Sequence, residues 1–259
     1  MALVRHLLRL SYVGTHFCGF QVQPRGETVQ AALQRAAEKI FASPCLVTGC
    51  SRTDSGVHAN EYLAVIEEEG RSSIPETAIP RAMNTYLPPD VSVKESVPVA
   101  KDFSIRRHVA GKEYMYLLWN HPVRDPFLHS RAFHYFRPLA VEKMQSAAKL
   151  FLGSHDFRAF MASGSDVADT VRTITELRVV RDGDLVRIFV SADGFLYNMV
   201  RIIVGTLLEV SEGKIDEARL RAAINGGDRA LAGRTAPAEG LYLNRVFLDG
   251  DYFVREKTP

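Results

Sequence analysis

The stretch Thr48-Gly49-Cys50-Ser51-Arg52-Thr53-Asp54-Ser55-Gly56-Val57-His58-Ala59 carries an arginine, an aspartate and a histidine separated by small residues. Apolar runs over 44–47 and 62–66 lead into it and out of it. Small residues beside charged ones mark a turn whose backbone something must approach closely. A guanidinium two residues from a carboxylate favours the anion and lowers an Asp pKa by about 1–3 units. Asp54 is therefore expected to pair with Arg52 and to suit nucleophilic or electrostatic work rather than proton donation. The same residues read equally as a surface ion pair in a hairpin loop, because ion-pair networks also crowd loops.

Four other features have chemistry that could serve such a carboxylate. Phe103-Ser104-Ile105-Arg106-Arg107-His108 is basic, with Lys112 close behind it. Tyr114 follows that stretch, and a cationic groove with an aromatic platform is how single-stranded or flipped bases are held. Packing across a strand is the other reading of Tyr114. Asn198 and Arg201 lie in an apolar run, where a buried guanidinium is costly unless a carboxylate or phosphate meets it. A snorkelling arginine is the alternative there. Residues 236–243 form a turn that feeds a final apolar stretch.

The elements that must position these residues follow from periodicity. Strands are expected at 3–13, 45–51, 61–68 and 91–97. Thr28 caps a helix whose apolar face is Val29, Leu33, Ala36 or Ala37, and Ile40, and a short helix starts between Pro75 and Pro80. After Pro98 the pattern restarts: a strand at 112–119, a helix at 141–151, a hairpin of 173–180 and 185–191 turning at Asp182-Gly183, helices at 195–210 and 216–224, and a strand at 241–248. Both halves read strand, helix, strand, strand, helix, strand, the split β-α-β order. The expected fold is α+β. It comprises two tandem ferredoxin-like domains, 1–98 with the Asp54 loop and 99–259 with Tyr114 and Arg201. A joined mixed or antiparallel sheet and a central cleft are expected between them.

Composition narrows the function classes. The chain has 259 residues, 46% of them hydrophobic, enough for a full core and unlike a disordered protein. Three cysteines, with no Cys-x-x-Cys pair, argue against a disulfide framework or zinc knuckle and for a reducing compartment. No apolar run approaches the roughly 18 residues of a membrane span, so a cytoplasmic protein without a membrane partner is expected. Net charge is +2, yet residues 101–149 hold nine Lys/Arg against four Asp/Glu. A basic centre in a nearly neutral chain points to a polyanion site on one surface.

The block Arg52-Thr53-Asp54-Ser55-Gly56-Val57-His58-Ala59 resembles the signature of the TruA-type tRNA pseudouridine synthases. So do Tyr12-Val13-Gly14 with Gly19-Phe20-Gln21, Asn84 with Leu87-Pro88-Pro89-Asp90, and Asp102-Phe103. Further along, Tyr114-Met115-Tyr116, Asp156-Phe157, Val171-Arg172-Thr173-Ile174, Phe195 to Arg201 and Ala236 to Leu243 match in order. Phe20 stands where the family usually has Trp, and Ser51 and Ser55 where Gly and Ala are common. The resemblance implies an isomerase acting on uridines 38, 39 and 40 of the tRNA anticodon arm. It implies Asp54 as catalytic aspartate, Tyr114 as the stacking tyrosine and Arg52 and Arg201 as arginines lining the site, with Arg201 rather than Arg52 as the partner of the Asp54 carboxylate. Arg106, Arg107 and Lys112 are the candidate RNA-binding cations. The implied enzyme uses no metal or organic cofactor and works as a homodimer with tRNA touching both subunits.

Two rival readings use the same residues. One is a non-catalytic RNA-binding module of paired ferredoxin-like domains; the aromatic run of an RRM is missing, and a carboxylate in the groove would repel phosphate. The other is a cysteine or metal hydrolase built from Cys50, Asp54 and His58, which the Gly56 interruption and the scattered His129 and His134 disfavour.

Overall fold

The computed structural model describes residues 3–69, 74–164 and 167–253. They fall into two compact units, residues up to 110 with those from 243 onward, and residues 111–242. The expected division at 98/99 thus differs from these units in two ways: the first unit runs on to residue 110, and the C-terminal segment groups with it. The backbone gives a reason for the second. The Asp249 amide donates to the His108 carbonyl at 2.9 Å, and the Val246 amide donates to the Glu61 carboxylate at 2.9 Å.

The first unit contains β1 (Val4–Tyr12), α1 (Val29–Phe41), β2 (Leu46–Gly49), β3 (His58–Glu68), α2 (Ile79–Asn84), β4 (Val91–Val99) and α3 (Ile105–His108). Its strands run β4-β1-β3-β2, with every neighbouring pair antiparallel. That order places β3 between β1 and β2, which makes the split β-α-β arrangement. Thr28 starts α1 by accepting the Ala31 amide at 3.3 Å, and Ala42 ends it in the left-handed region at φ 50°. Of the α1 stripe that helical spacing predicts, Val29, Leu33, Ala36 and Ala37 are buried and Ile40 is half-buried. Leu7, Leu8 and Leu10 of β1 are all fully buried, so this central strand is covered on both faces. Burying each such leucine contributes about 1.5–3 kcal/mol.

The second unit contains β5 (Val109–Trp119, from its third residue), β6 (Phe133–His134), α4 (Val141–Ala148), β7 (Gly153–Asp156), β8 (Val171–Asp182), β9 (Leu185–Ala192), α5 (Met199–Ser211) and α6 (Glu217–Gly226). β10 (Leu241–Leu248) straddles the division. Within the unit the strands run β5-β9-β8-β7, antiparallel throughout, and β6 adds a short parallel pair to β5. The expected hairpin turns at Gly183 with φ +58°, and nothing lies within 4 Å of where its Cβ would be. The helix expected from 195 begins only at Met199. Asn198 adopts φ 59° before it, a left-handed conformation that Asn tolerates better than most residues. From Val200 to Leu208 every residue of α5 except Arg201 is buried.

No helix among the described residues is long and apolar enough to cross a membrane.

Candidate active site

In the first unit, the loop between β2 and β3 carries Asp54. Its course is fixed by the segment after β1. The Phe20 amide donates to the Thr53 carbonyl at 3.2 Å, and the Gly56 amide donates to the Phe17 carbonyl at 3.3 Å. The Ser55 hydroxyl reaches the same Phe17 carbonyl at 3.3 Å. Within the loop, the Val57 amide closes onto the Asp54 carbonyl at 3.2 Å. The Thr53 side chain turns inward, and its hydroxyl shares a hydrogen bond of 2.8 Å with the Tyr12 hydroxyl. On the entry side the Ser51 amide donates to the Tyr62 hydroxyl at 3.3 Å, and that hydroxyl donates in turn to the Ser51 carbonyl. Phe20 stacks on Tyr62 with centroids 4.3 Å apart. Backbone on both sides of Asp54 is therefore immobilised, while Asp54 itself is only half-buried.

Glycines make this approach possible. A Cβ on Gly14 would lie 1.9 Å from the Val57 carbonyl oxygen, and one on Gly19 would lie 2.4 Å from the Thr53 oxygen. Gly19 also has φ +81°, which side chains rarely adopt. The close approach expected at this turn is made by the chain itself.

Arg52 departs from expectation. It is exposed, and among the described residues its guanidinium makes no hydrogen bond or ion pair. The loop's backbone bonds and the inward turn of Thr53 leave Arg52 in solvent, so the expected Arg52–Asp54 pair does not form. Arg52 is instead open to an external anion. Arg106 and Arg107 of α3 are also exposed, and Arg107 touches the Asp102 carbonyl at 3.1 Å.

In the second unit, Tyr114 of β5 is only 6% exposed and meets Phe195 edge-on, with centroids 4.9 Å apart. Lys112, two residues earlier, is half-buried opposite Ala192 of β9. Arg201 projects from α5, where its Nε donates to the Ala236 carbonyl at 2.7 Å and Nη1 to the Asn198 amide oxygen at 2.7 Å. The Ala236 amide returns a bond to the Arg201 carbonyl at 3.0 Å. Residues 236–243 are thus more than a chain reversal: their first carbonyl orients a guanidinium. Tyr116, on the same face of β5 as Tyr114, donates to the Pro237 carbonyl at 2.7 Å. Burial drives the Tyr116 phenol well above its usual pKa, while Arg201 pulls the other way, so it stays a neutral donor.

Sequence reasoning gave no role to Tyr12, Gly14, Phe17, Gly19, Phe20 and Tyr62, which hold the Asp54 loop. The paired glycines of Gly14-Thr-His-Phe-Cys-Gly19 were the available signal. Among the described residues, no group of three or more His, Cys, Asp and Glu is placed to hold a metal ion. Cys50 and His58 are both buried, and the His58 Nδ1 is occupied by a backbone amide.

The family model described as tRNA pseudouridine synthase matches residues 10–106 and 147–249. A tRNA pseudouridine synthase A of Ruminiclostridium cellulolyticum is 43% identical over 241 residues, covering 93% of this chain and 98% of that protein. Those of Clostridium perfringens (tRNA pseudouridine synthase A 2) and Acetivibrio thermocellus are 42% and 44% identical over 240 residues, with the same coverage. The chain belongs to the tRNA pseudouridine synthase family, a family of isomerases rather than of passive RNA-binding modules.

Proposed function

We propose that this chain converts uridine to pseudouridine at positions 38, 39 and 40 of the tRNA anticodon arm, with Asp54 as the nucleophile. The observation that carries the reading is the Asp54 loop, pinned by backbone bonds on either side of a half-buried carboxylate. Preorganisation of this kind is what covalent or electrostatic catalysis requires.

The chemistry breaks the N1–C1′ bond and joins C1′ to C5. The C5 hydrogen leaves as a proton and N1 gains one, so atoms and electrons balance with no redox partner or metal. The target uridine must first leave its stack, at a cost of a few kcal/mol. Stacking on Tyr114 returns about 1–3 kcal/mol. Phosphate contacts by Arg106, Arg107 and Lys112 supply the remainder, and Arg52 and Arg201 hold the nucleotide for the Asp54 carboxylate. Asp54 attacks the sugar or the base, or stabilises charge developing on the ribose. The active form in this reading is a cytoplasmic homodimer whose subunits both touch the tRNA.

Asp54→Asn keeps the shape of the side chain and removes its charge. It folds, binds tRNA with parental affinity and makes no pseudouridine in a tRNA transcript. Turnover near the parental rate would remove Asp54 from the chemistry.

A further inference from the structure

His58 lies four residues beyond Asp54, at the first residue of β3, and is fully buried. The Gly14 amide donates to its Nδ1 at 2.9 Å. A backbone amide can only donate, so Nδ1 must carry a lone pair, which fixes the ring as neutral with its proton on Nε2. The contact lies where the two segments touch most closely: Gly14 stands against the carbonyl of Val57, the residue before His58. Val57 in turn closes the Asp54 turn through its amide.

We propose that His58 is a positioning residue for the reaction, its neutral imidazole locking the segment after β1 onto the catalytic loop through Nδ1. Other bonds between the two segments differ in kind. Phe20 to Thr53, Gly56 to Phe17 and Ser55 to Phe17 all end on the loop's backbone or on an exposed hydroxyl, and Tyr12 to Thr53 grips the loop before Asp54. His58 is a buried side chain that grips it after Asp54. Removing it leaves the Gly14 amide buried without its acceptor and frees the C-terminal side of the turn. A buried donor that loses its partner drives local rearrangement, because an unmade bond there is costly.

The inference rests on Asp54 being the catalytic carboxylate, and the experiment separates the two. Single-turnover rates and tRNA affinity are measured for His58→Ala, His58→Asn and His58→Gln beside Asp54→Asn. An Asn oxygen falls near the position of Nδ1, whereas the Gln amide falls near Nε2. His58→Ala is expected to lose about 10²-fold in the chemical rate, the scale of an ångström-sized misplacement, with tRNA affinity held within about threefold. His58→Asn recovers most of that rate and His58→Gln does not. Equal rates for Asn and Gln, or a parental rate in His58→Ala while Asp54→Asn is inactive, would overturn the positioning role. An active Asp54→Asn would instead remove the premise. Long-range proton–nitrogen spectra of the parent protein give a check that needs no variant: His58 Nδ1 resonates as an unprotonated acceptor at neutral pH, and a protonated Nδ1 refutes the proposal.

Discussion

Gly14→Ala tests how closely turnover depends on the contact between the segment after β1 and the Asp54 loop. Gly14 does not need glycine for its backbone angles, since its φ lies outside the left-handed region, so alanine adds a methyl group and little conformational strain. The methyl carbon would sit 1.9 Å from the Val57 oxygen, where real contacts are essentially never under 3.0 Å. One of the two backbones must retreat by roughly 1 Å. That retreat stretches the 2.9 Å bond from Gly14 to His58 and shifts the turn closed by Val57 onto Asp54. A displacement of this size near a reacting group costs about 10²-fold in rate. The assay is release of tritium from tRNA labelled at uridine C5, a hydrogen that the rearrangement must expel, under single-turnover conditions. Gly183→Ala is the control. It substitutes a glycine at φ +58° with nothing within 4 Å, so it costs about 1 kcal/mol of stability and leaves the rate within about twofold. A Gly14→Ala enzyme at the parental rate, or one whose loss is matched by Gly183→Ala, would refute the dependence of turnover on loop placement.

Two further outcomes are expected. Arg106→Ala with Arg107→Ala weakens tRNA binding and flattens its dependence on salt, by roughly 0.7–0.9 log units per lost phosphate contact; an unchanged slope in a salt titration puts these side chains off the RNA. Glu212, at the end of α5, is held down to about 2 from the ordinary 4.5 by Lys214, the Tyr135 hydroxyl and Arg137. Because the folded state binds this proton more weakly than the unfolded chain, the stabilisation is complete above pH 4.5 and is lost as pH falls toward 2. With the screening of the exposed Lys214 and Arg137 by solvent allowed for, Glu212→Gln therefore destabilises by about 1 kcal/mol at neutral pH and by less than half of that at about pH 3, read from urea midpoints. An equal loss at both values would assign the effect to packing rather than to the anion.

Strand and helix periods carried most of the fold into view. Thr28 announced α1, Asp182-Gly183 announced the hairpin, and the alternation of β5 placed Tyr114 and Tyr116 on one face. β7 escaped because Gly153-Ser-His-Asp156 is polar and mostly exposed, held by pairing with β8 rather than by an apolar pattern of its own. The unit boundaries escaped for a related reason: the bond from Asp249 to His108 joins residues far apart in sequence, and no local signal marks it.

The site divides along the same line. Chemistry-bearing residue types are visible one at a time, so Asp54, Tyr114 and Arg201 stood out, whereas their environments depend on partners the local pattern does not name. Proximity in sequence suggested that Arg52 would pair with Asp54, but a loop fixed by its backbone need not bring neighbouring charges together, and Arg52 ends in water. Arg201 was expected to call for an anion, and a carbonyl and an amide oxygen are among its partners. Neutral oxygens orient a guanidinium without cancelling its charge. The same logic holds in the Asp54 loop, where every backbone contact that fixes its course is with a neutral group. Gly14 and Gly19 carry no chemistry of their own and matter through what a Cβ there would meet, which is why a substitution at Gly14 tests the placement of the Asp54 loop so directly.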